Sequence, residues 1–373
     1  METALPEISI IVPALNEAEN FPLLMAKLAE VMGRRSYEVI VVDDDSRDRT
    51  PQTCEELART YPLRLIVRPE PKHGLSGAVL HGIAEARGQT IVVMDADLQH
   101  PPDRVPALLE ALDSGADFAL GSRYIPGGST DDHWTFFRRI NSWVATALAR
   151  PFAGPVLDPM SGFFAIRRST LDRAERLTPL GYKIALELMC KCRVKSVREV
   201  PIHFGLRVSG KSKLTLKQQF RYLEHLSRLY DFTFPRASPI VKFLISTGIG
   251  FVLGGLVFLS ALYSGQGRVS ATAWGYLASI LMTALFHLRY VRTQAEFLIT
   301  RHPWGDFLII SLAEWAVSML AATWLVHRAP GAFALEAFSI SFGCGTVVRY
   351  ALRKEFLQDV RGLRREIRRE ELS

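Results

Sequence analysis

Thr90-Ile-Val-Val-Met-Asp-Ala-Asp-Leu-Gln99 decides the fold of the N-terminal part of the chain. Ile91 to Met94 are apolar and run straight into two carboxylates and an amide. So short and uniform an apolar run reads as a strand buried on both faces, the pattern of a parallel sheet. Outward from it, the same pattern recurs at Ile8–Val12, Val39–Asp43, Leu63–Val67 and Phe118–Gly121. Helical stretches lie between: Ala18–Met32, Pro51–Arg59, Ser76–Ala86 and Pro102–Asp113. Alternating strands and helices imply a doubly wound α/β, Rossmann-like sheet with helices on both faces. Ligands bind such sheets beyond the carboxyl ends of the strands. The polar clusters sit there: Asn16-Glu17, Asp43-Asp44-Asp45 and Asp95-Ala96-Asp97.

Alternate oxygen-bearing side chains at Asp95, Asp97 and Gln99 suit Mg²⁺ or Mn²⁺, hard ions that prefer oxygen and bridge protein to phosphate. A diphosphate leaving group needs that neutralisation. The triplet alone is common by chance; its place at a strand end gives it weight. Three adjacent acids at Asp43–Asp45 repel and need a reason to persist: a helix cap, a partner for a base or ribose, or a solvated loop. Gly74-Leu-Ser-Gly77 is not a Walker loop, and the dinucleotide fingerprint is missing, which disfavours NAD. Basic residues recur at Arg123, Arg138, Arg139, Arg207, Lys211 and Lys213. They read either as surface charge or as stabilisers of charge on a leaving phosphate.

From Ile240 onward the apolar runs lengthen. Segments at about 240–263, 270–290, 305–327 and 332–350 each approach the ~20 residues that cross a bilayer, giving an all-α four-helix transmembrane domain. Gly250-x-x-x-Gly254 signals close helix packing. Glu314 lies inside the third segment, where an acid is costly and often functional unless it sits at an interface. Lys242, Arg289, Arg292, Arg301, Arg349, Arg353 and Lys354 flank one side and only Arg268 and Arg328 the other, which places both termini in the cytoplasm. No cleavable signal peptide is expected, so the N-terminal domain stays in the cytosol. The expected organisation is 1–213 catalytic, 214–235 an amphipathic helical region, 236–352 transmembrane and 353–373 a basic tail. The 214–235 region reads equally as an interfacial helix or as a docking helix of the soluble domain. The net charge of +7 fits anionic lipid better than nucleic acid. Cys54, Cys190, Cys192 and Cys344 read as packing residues.

Six motifs in order carry a resemblance over residues 6–235: Pro13-Ala-Leu-Asn-Glu17, Val42-Asp-Asp-Asp-Ser46, Asp95-Ala-Asp-Leu-Gln-His100, Gly121-Ser-Arg-Tyr124, Ser161-Gly-Phe163 and Ser209-Gly-Lys-Ser-Lys213. They resemble the polyprenyl (dolichyl)-phosphate mannose synthases of glycosyltransferase family 2. The membrane part is similar to the small four-helix GtrA-like family. The resemblance implies a GT-A fold, a single inverting transfer, GDP-mannose as donor, a polyprenyl or dolichyl phosphate as acceptor, and a multi-pass place in the cell membrane. It implies donor contacts at Pro13, Leu15, Glu17, Val42, Asp44, Asp95, Ala96, Asp97, Arg123, Ile184, Arg207 and Lys213. It puts the metal on Asp97 and Gln99, the acceptor phosphate on Arg123, Arg138 and Ser142, and the catalytic work on Asp95, Asp97 and Arg123. Leu15 stands where the family usually carries an aromatic, which removes a stacking surface for the base.

Glu187 is the only candidate general base outside the acidic clusters. A phosphate acceptor removes the need for one, because its second pKa of about 6 leaves it largely ionised at neutral pH. Three other readings compete: a UDP-sugar enzyme of the same type, a processive polysaccharide synthase suggested by Gln218-Gln-Phe-Arg-Tyr222, and a non-enzymatic lipid flippase or scaffold.

Overall fold

The computed structural model describes residues 5–71, 73–130, 136–175, 177, 183–205, 216–286, 303–328 and 334–351. The chain divides into two units, Met1–Thr233 and Phe234–Ser373.

The first unit is built on β1 (Ile8–Ala14), β2 (Tyr37–Asp43), β3 (Leu63–Val67), β4 (Thr90–Val93), β5 (Phe118–Ser122), β7 (Phe164–Arg167) and β8 (Val197–Pro201). Their order is β3-β2-β1-β4-β7-β5-β8. All neighbouring pairs are parallel except those of β7, which runs antiparallel between β4 and β5. The expected GT-A architecture is present, with this one reversal inserted. A small parallel pair, β6 (Ser129–Thr130) with β9 (His203–Phe204), lies apart from the main sheet.

Side chains alternate across a strand, and the central strands use both faces. Ile10, Val12, Val39, Val41 and Val92 enter one core with Phe21, Leu24 and Leu28 of α1 (Phe21–Met32) and Leu108 and Leu112 of α4 (Val105–Asp113). Ile11, Ile40, Val42, Ile91 and Val93 enter the other with Val79 of α3 (Gly74–Glu85). Each fully buried aliphatic contributes roughly 1.5–3 kcal/mol. Gly82 lets α3 approach the sheet: a Cβ there would lie 2.6 Å from Ile11. α2 (Thr50–Leu57) and the four-residue α6 (Arg168–Leu171) complete the sheet connections.

The second core is closed by α5 (Phe136–Ala153), α7 (Ile184–Lys191) and α8 (Leu216–Thr233). Tyr222, Leu226 and Leu229 of α8 are buried in it, and the Tyr222 hydroxyl donates to the Ala145 carbonyl of α5 at 2.7 Å. This favours the docking reading of α8, whose outer residues Phe220 and Leu223 remain exposed.

The second unit contains α9 (Ser238–Tyr263), α10 (Arg268–Phe286), α11 (Pro303–Arg328) and α12 (334–351). Each of the four apolar segments is helical over its described residues. Among the described residues, two stretches are long and apolar enough to cross a membrane, Ser238–Tyr263 and Phe307–Arg328. Leu244, Val252, Leu256 and Leu259 of α9 and Leu308, Leu312 and Leu320 of α11 are exposed, an apolar surface that suits lipid rather than water. The Gly250–Gly254 motif does pack closely: a Cβ at Gly254 would meet the Gly275 carbonyl oxygen of α10 at 2.6 Å.

Glu314 is buried within its own unit. Its Oε1 accepts from the Tyr276 hydroxyl at 3.0 Å and lies 3.3 Å from Arg349 Nε. Arg349 also donates to Thr247 at 2.8 Å and to Thr283 at 3.3 Å. Arg349 thus differs from the flanking cation expected of it; it is 2% exposed. The reason is its partner: a buried acid needs a counter-charge.

Candidate active site

β1, β2 and β4 deliver their polar clusters to one sheet edge. Ala14 pairs with Asp43, the Asp44 amide donates to the Ala14 carbonyl at 3.0 Å, and the Met94 amide to the Ile11 carbonyl at 3.1 Å. The three adjacent acids take three separate roles. Asp43 is buried and accepts the Ser46 amide at 3.0 Å, closing the turn after β2. Asp44 binds the Arg68 guanidinium through Nε at 2.7 Å and Nη2 at 2.6 Å. Asp45 reaches the exposed Arg47 at 2.6 Å. Burial pushes the Asp44 carboxyl up, against the opposing hydrogen bond and charge of Arg68, with a further push from Asp43.

Asn16 stitches the first two loops together. Its φ of 58° is left-handed, a region Asn tolerates better than most residues. Its amide donates to Ser46 Oγ at 2.8 Å, and its Oδ1 accepts the Arg47 amide at 2.8 Å. The Glu17 amide donates to Thr50 Oγ1 at 2.9 Å and the Ala18 amide to Asp48 at 3.2 Å. Asp48 is held below the usual carboxylate range: burial raises it, but hydrogen bonds from Thr50 and Ala18 outweigh that.

After β4 the chain turns through Leu98 at φ 62°. Asp97 Oδ1 accepts the Gln99 amide at 3.2 Å, and Gln99 Nε2 donates to the Gly205 carbonyl at 2.9 Å. The second bond orients the amide, with Oε1 as its acceptor end. His100 Nδ1 accepts the Asp95 amide at 3.0 Å, so the proton of the neutral ring is on Nε2. Burial lowers the His100 pKa to about 4. Its ring stacks on Phe163 with centroids 5.3 Å apart.

Arg123 follows β5 and turns inward. Asp158 accepts from its Nε and its Nη2, each at 2.7 Å. Burial works against the guanidinium charge, and the hydrogen bonds and charge of Asp158 more than offset it. The rings of Tyr124 and Phe204 lie 5.1 and 5.2 Å from the guanidinium carbon. The Tyr124 hydroxyl is 2.9 Å from Ser142 Oγ on α5. Lys183 enters from the residue before α7 and donates to the Met160 carbonyl at 2.5 Å. Burial lowers its pKa to about 8, helped by Arg123 and opposed by Asp158 and Asp95.

Among the residues expected here, Leu15, Glu17, Asp44, Asp95, Asp97 and Gln99 do lie in the loops at this edge, and Arg123 and Ser142 are joined through Tyr124. Leu15 is exposed, whereas Pro13, Val42 and Ala96 are buried. Ile184 is buried in the second core. Arg138 lies on α5 one turn before Ser142, with its side chain outside the described residues; Arg207 and Lys213 lie outside them as well. Glu187 is elsewhere: it pairs with Lys191 at 2.7 Å and His225 at 3.1 Å between α7 and α8. Sequence reasoning missed Arg68, Asp158 and Lys183. Asp158-Pro-Met-Ser-Gly162 adjoins a recognised motif, which was the available signal for Asp158.

A mostly parallel sheet with one reversed strand, carrying Asp95, Asp97 and Gln99 beyond β4 and an inward arginine beyond β5, defines a GT-A glycosyltransferase. Residues 9–174 match the profile of glycosyl transferase family 2. The dolichol-phosphate mannosyltransferase of Pyrococcus furiosus is 43% identical over 242 residues, covering 64% of this chain and 68% of that one. The dolichol-phosphate mannosyltransferase of Saccharomyces cerevisiae is 42% identical over 256 residues, covering 66% of this chain and 94% of that one. The chain belongs to glycosyl transferase family 2, among its dolichol-phosphate mannosyltransferases. A solved structure of glucosyl-3-phosphoglycerate synthase from Mycobacterium tuberculosis aligns with 62% of this chain and 80% of its own, at 21% identity and a TM-score of 0.47.

Proposed function

We propose that the protein transfers mannose from GDP-mannose to a polyprenyl or dolichyl phosphate, with inversion, at the cytoplasmic face of a membrane. The observation that carries this reading is the 42% identity over nearly the whole length of the yeast mannosyltransferase. The sheet edge supplies matching chemistry. The bond between the sugar's anomeric carbon and the donor phosphate breaks, and GDP departs with the electron pair. An oxygen of the lipid phosphate forms the new bond from the opposite face.

Asp97 and the Gln99 amide oxygen form an oxygen-only donor set, which fits Mg²⁺ or Mn²⁺. When bound, such an ion neutralises charge on the diphosphate. Arg123 supplies a fixed cation with its other face held by Asp158. Arg138 and Ser142, one turn apart on α5, receive the lipid phosphate, while Arg207 and Lys213 serve the donor phosphates. No proton need be removed from the acceptor, which leaves positioning and charge stabilisation as the work of the site. The membrane helices, with both termini cytoplasmic, hold the lipid and the sugar donor on the same side.

Leu15 offers the base an exposed aliphatic surface, so UDP-glucose is the donor to test against GDP-mannose. The test offers both to full-length protein in detergent, with a short polyprenyl phosphate, with metal and with chelator. Transfer of mannose from GDP-mannose that stops with chelator, and is lost in folded Asp97→Ala, is the expected result. Use of UDP-glucose in preference overturns the donor assignment. Activity in chelator, or in Asp97→Ala, overturns the metal assignment.

A further inference from the structure

We propose that Lys183 is a positioning residue for sugar transfer, fixing through the Met160 carbonyl the turn that holds Arg123 in place. The proposal rests on the transferase reading above and adds a residue to it.

The turn at 157–163 is held from several sides, among them the Gly121 amide, which donates to the Phe163 carbonyl at 2.8 Å. Glu199 on β8 accepts the amides of Leu157 and Asp158, each at 3.0 Å. His100 stacks on Phe163. Lys183 donates to the Met160 carbonyl. Within the turn the Ser161 amide donates to the Asp158 carbonyl at 3.1 Å. Asp158 in turn makes both side-chain hydrogen bonds to Arg123. The link from Lys183 to Arg123 is therefore two short steps through a turn with little freedom.

A lysine is a costly way to secure a turn. Burying an ammonium carries a desolvation penalty that an apolar residue of similar size avoids. The cation also shares its surroundings with Arg123, Asp158 and Asp95, the groups nearest the expected chemistry. Stability alone does not account for that choice; orientation of a cation at the transfer site does. Displacing Arg123 by about 1 Å is the kind of error that costs on the order of 100-fold in rate.

The experiment uses the full chain in detergent with the sugar donor that the wild type turns over. Lys183→Met should lower kcat by about 10- to 100-fold and leave donor affinity by calorimetry within about twofold. In an Arg123→Lys background the same change should cost less than about twofold, because coupled residues do not add. Equal losses in both backgrounds, or an unchanged kcat, overturn the proposal. If Lys183→Met does not fold, Lys183→Gln carries the same comparison. The Nε–H resonance of Arg123 in isotope-labelled protein gives a readout without turnover. It should shift in Lys183→Met and stay in place in Lys195→Met; no shift in the former also overturns the proposal. A wild type that transfers no sugar would sink the functional reading and leave this readout intact.

Discussion

Arg123 and Asp158 stand 35 residues apart in sequence and meet through a two-point bond, with the arginine side chain 10% exposed and the aspartate 0%. Planar guanidinium and carboxylate groups match in that geometry, which fixes direction as well as charge.

Asp158→Ala should therefore damage stability and activity together. Breaking one side of a buried pair leaves an uncompensated charge and costs about 3–5 kcal/mol. Asp158→Asn keeps an acceptor and should cost less. Urea unfolding of both variants checks the order. An Asp158→Ala protein as stable as the parent would remove Asp158 from the fold's charge balance.

His100 makes the catalytic unit acid-sensitive. Its folded pKa is about 4, against an ordinary 6.5. Between those values the unfolded chain binds the proton and the folded one does not. Stability from this group is full above 6.5, falls as pH drops through that window, and is lost below about 4. The size is roughly 3 kcal/mol. Stability measured from pH 7 to pH 4 should fall less steeply in His100→Phe, which keeps a ring for Phe163 to stack on. Parallel curves would show that the proton goes elsewhere.

Cys54, Cys190 and Cys192 should resist alkylation in the folded protein. Burial pushes their thiols up to about 12, 12 and 11 respectively. Only the thiolate attacks, and it is scarce at pH 8. Mass spectrometry after iodoacetamide treatment should find these three labelled in urea and unlabelled without it. Rapid native labelling of Cys54 or Cys192 would contradict its buried placement, and of Cys190 its half-buried one.

Gly254→Leu should separate α9 from α10. The clash is with the backbone oxygen of Gly275, which no rotamer change can relieve. Thermal unfolding in detergent should drop well below that of Gly248→Leu, where a Cβ meets nothing within 4 Å. Similar melting of the two variants would place the crossing elsewhere.

Much of this was legible in the chain. The runs at Ile8, Val39, Leu63, Thr90 and Phe118 announced parallel strands because both faces of each are covered, leaving no polar alternation to obscure them. The acids that follow three of them marked the ligand edge for the same topological reason. β7 was not legible. Phe164–Arg167 is four residues long, and its reversal is decided by pairing with β4 and β5 rather than by local sequence. The amphipathic pattern of α8 identified a helix but not its buried stripe: Tyr222, His225 and Leu229 face inward while Phe220 and Leu223 do not. Arg68, Asp158 and Lys183 escaped notice because each acts on a residue more than 20 positions away.

The pairing of Glu314 with Arg349 also bears on how the protein is made. The acid is on α11 and its counter-charge on α12, the last described helix, so synthesis delivers the acid before its partner. Until α12 arrives, the Glu314 carboxylate on α11 lacks the Arg349 counter-charge that offsets its burial. A chain cut short before Arg349 lacks it permanently. The pair therefore ties α11 to a helix made after it, so only a chain extended past Arg349 can close this contact.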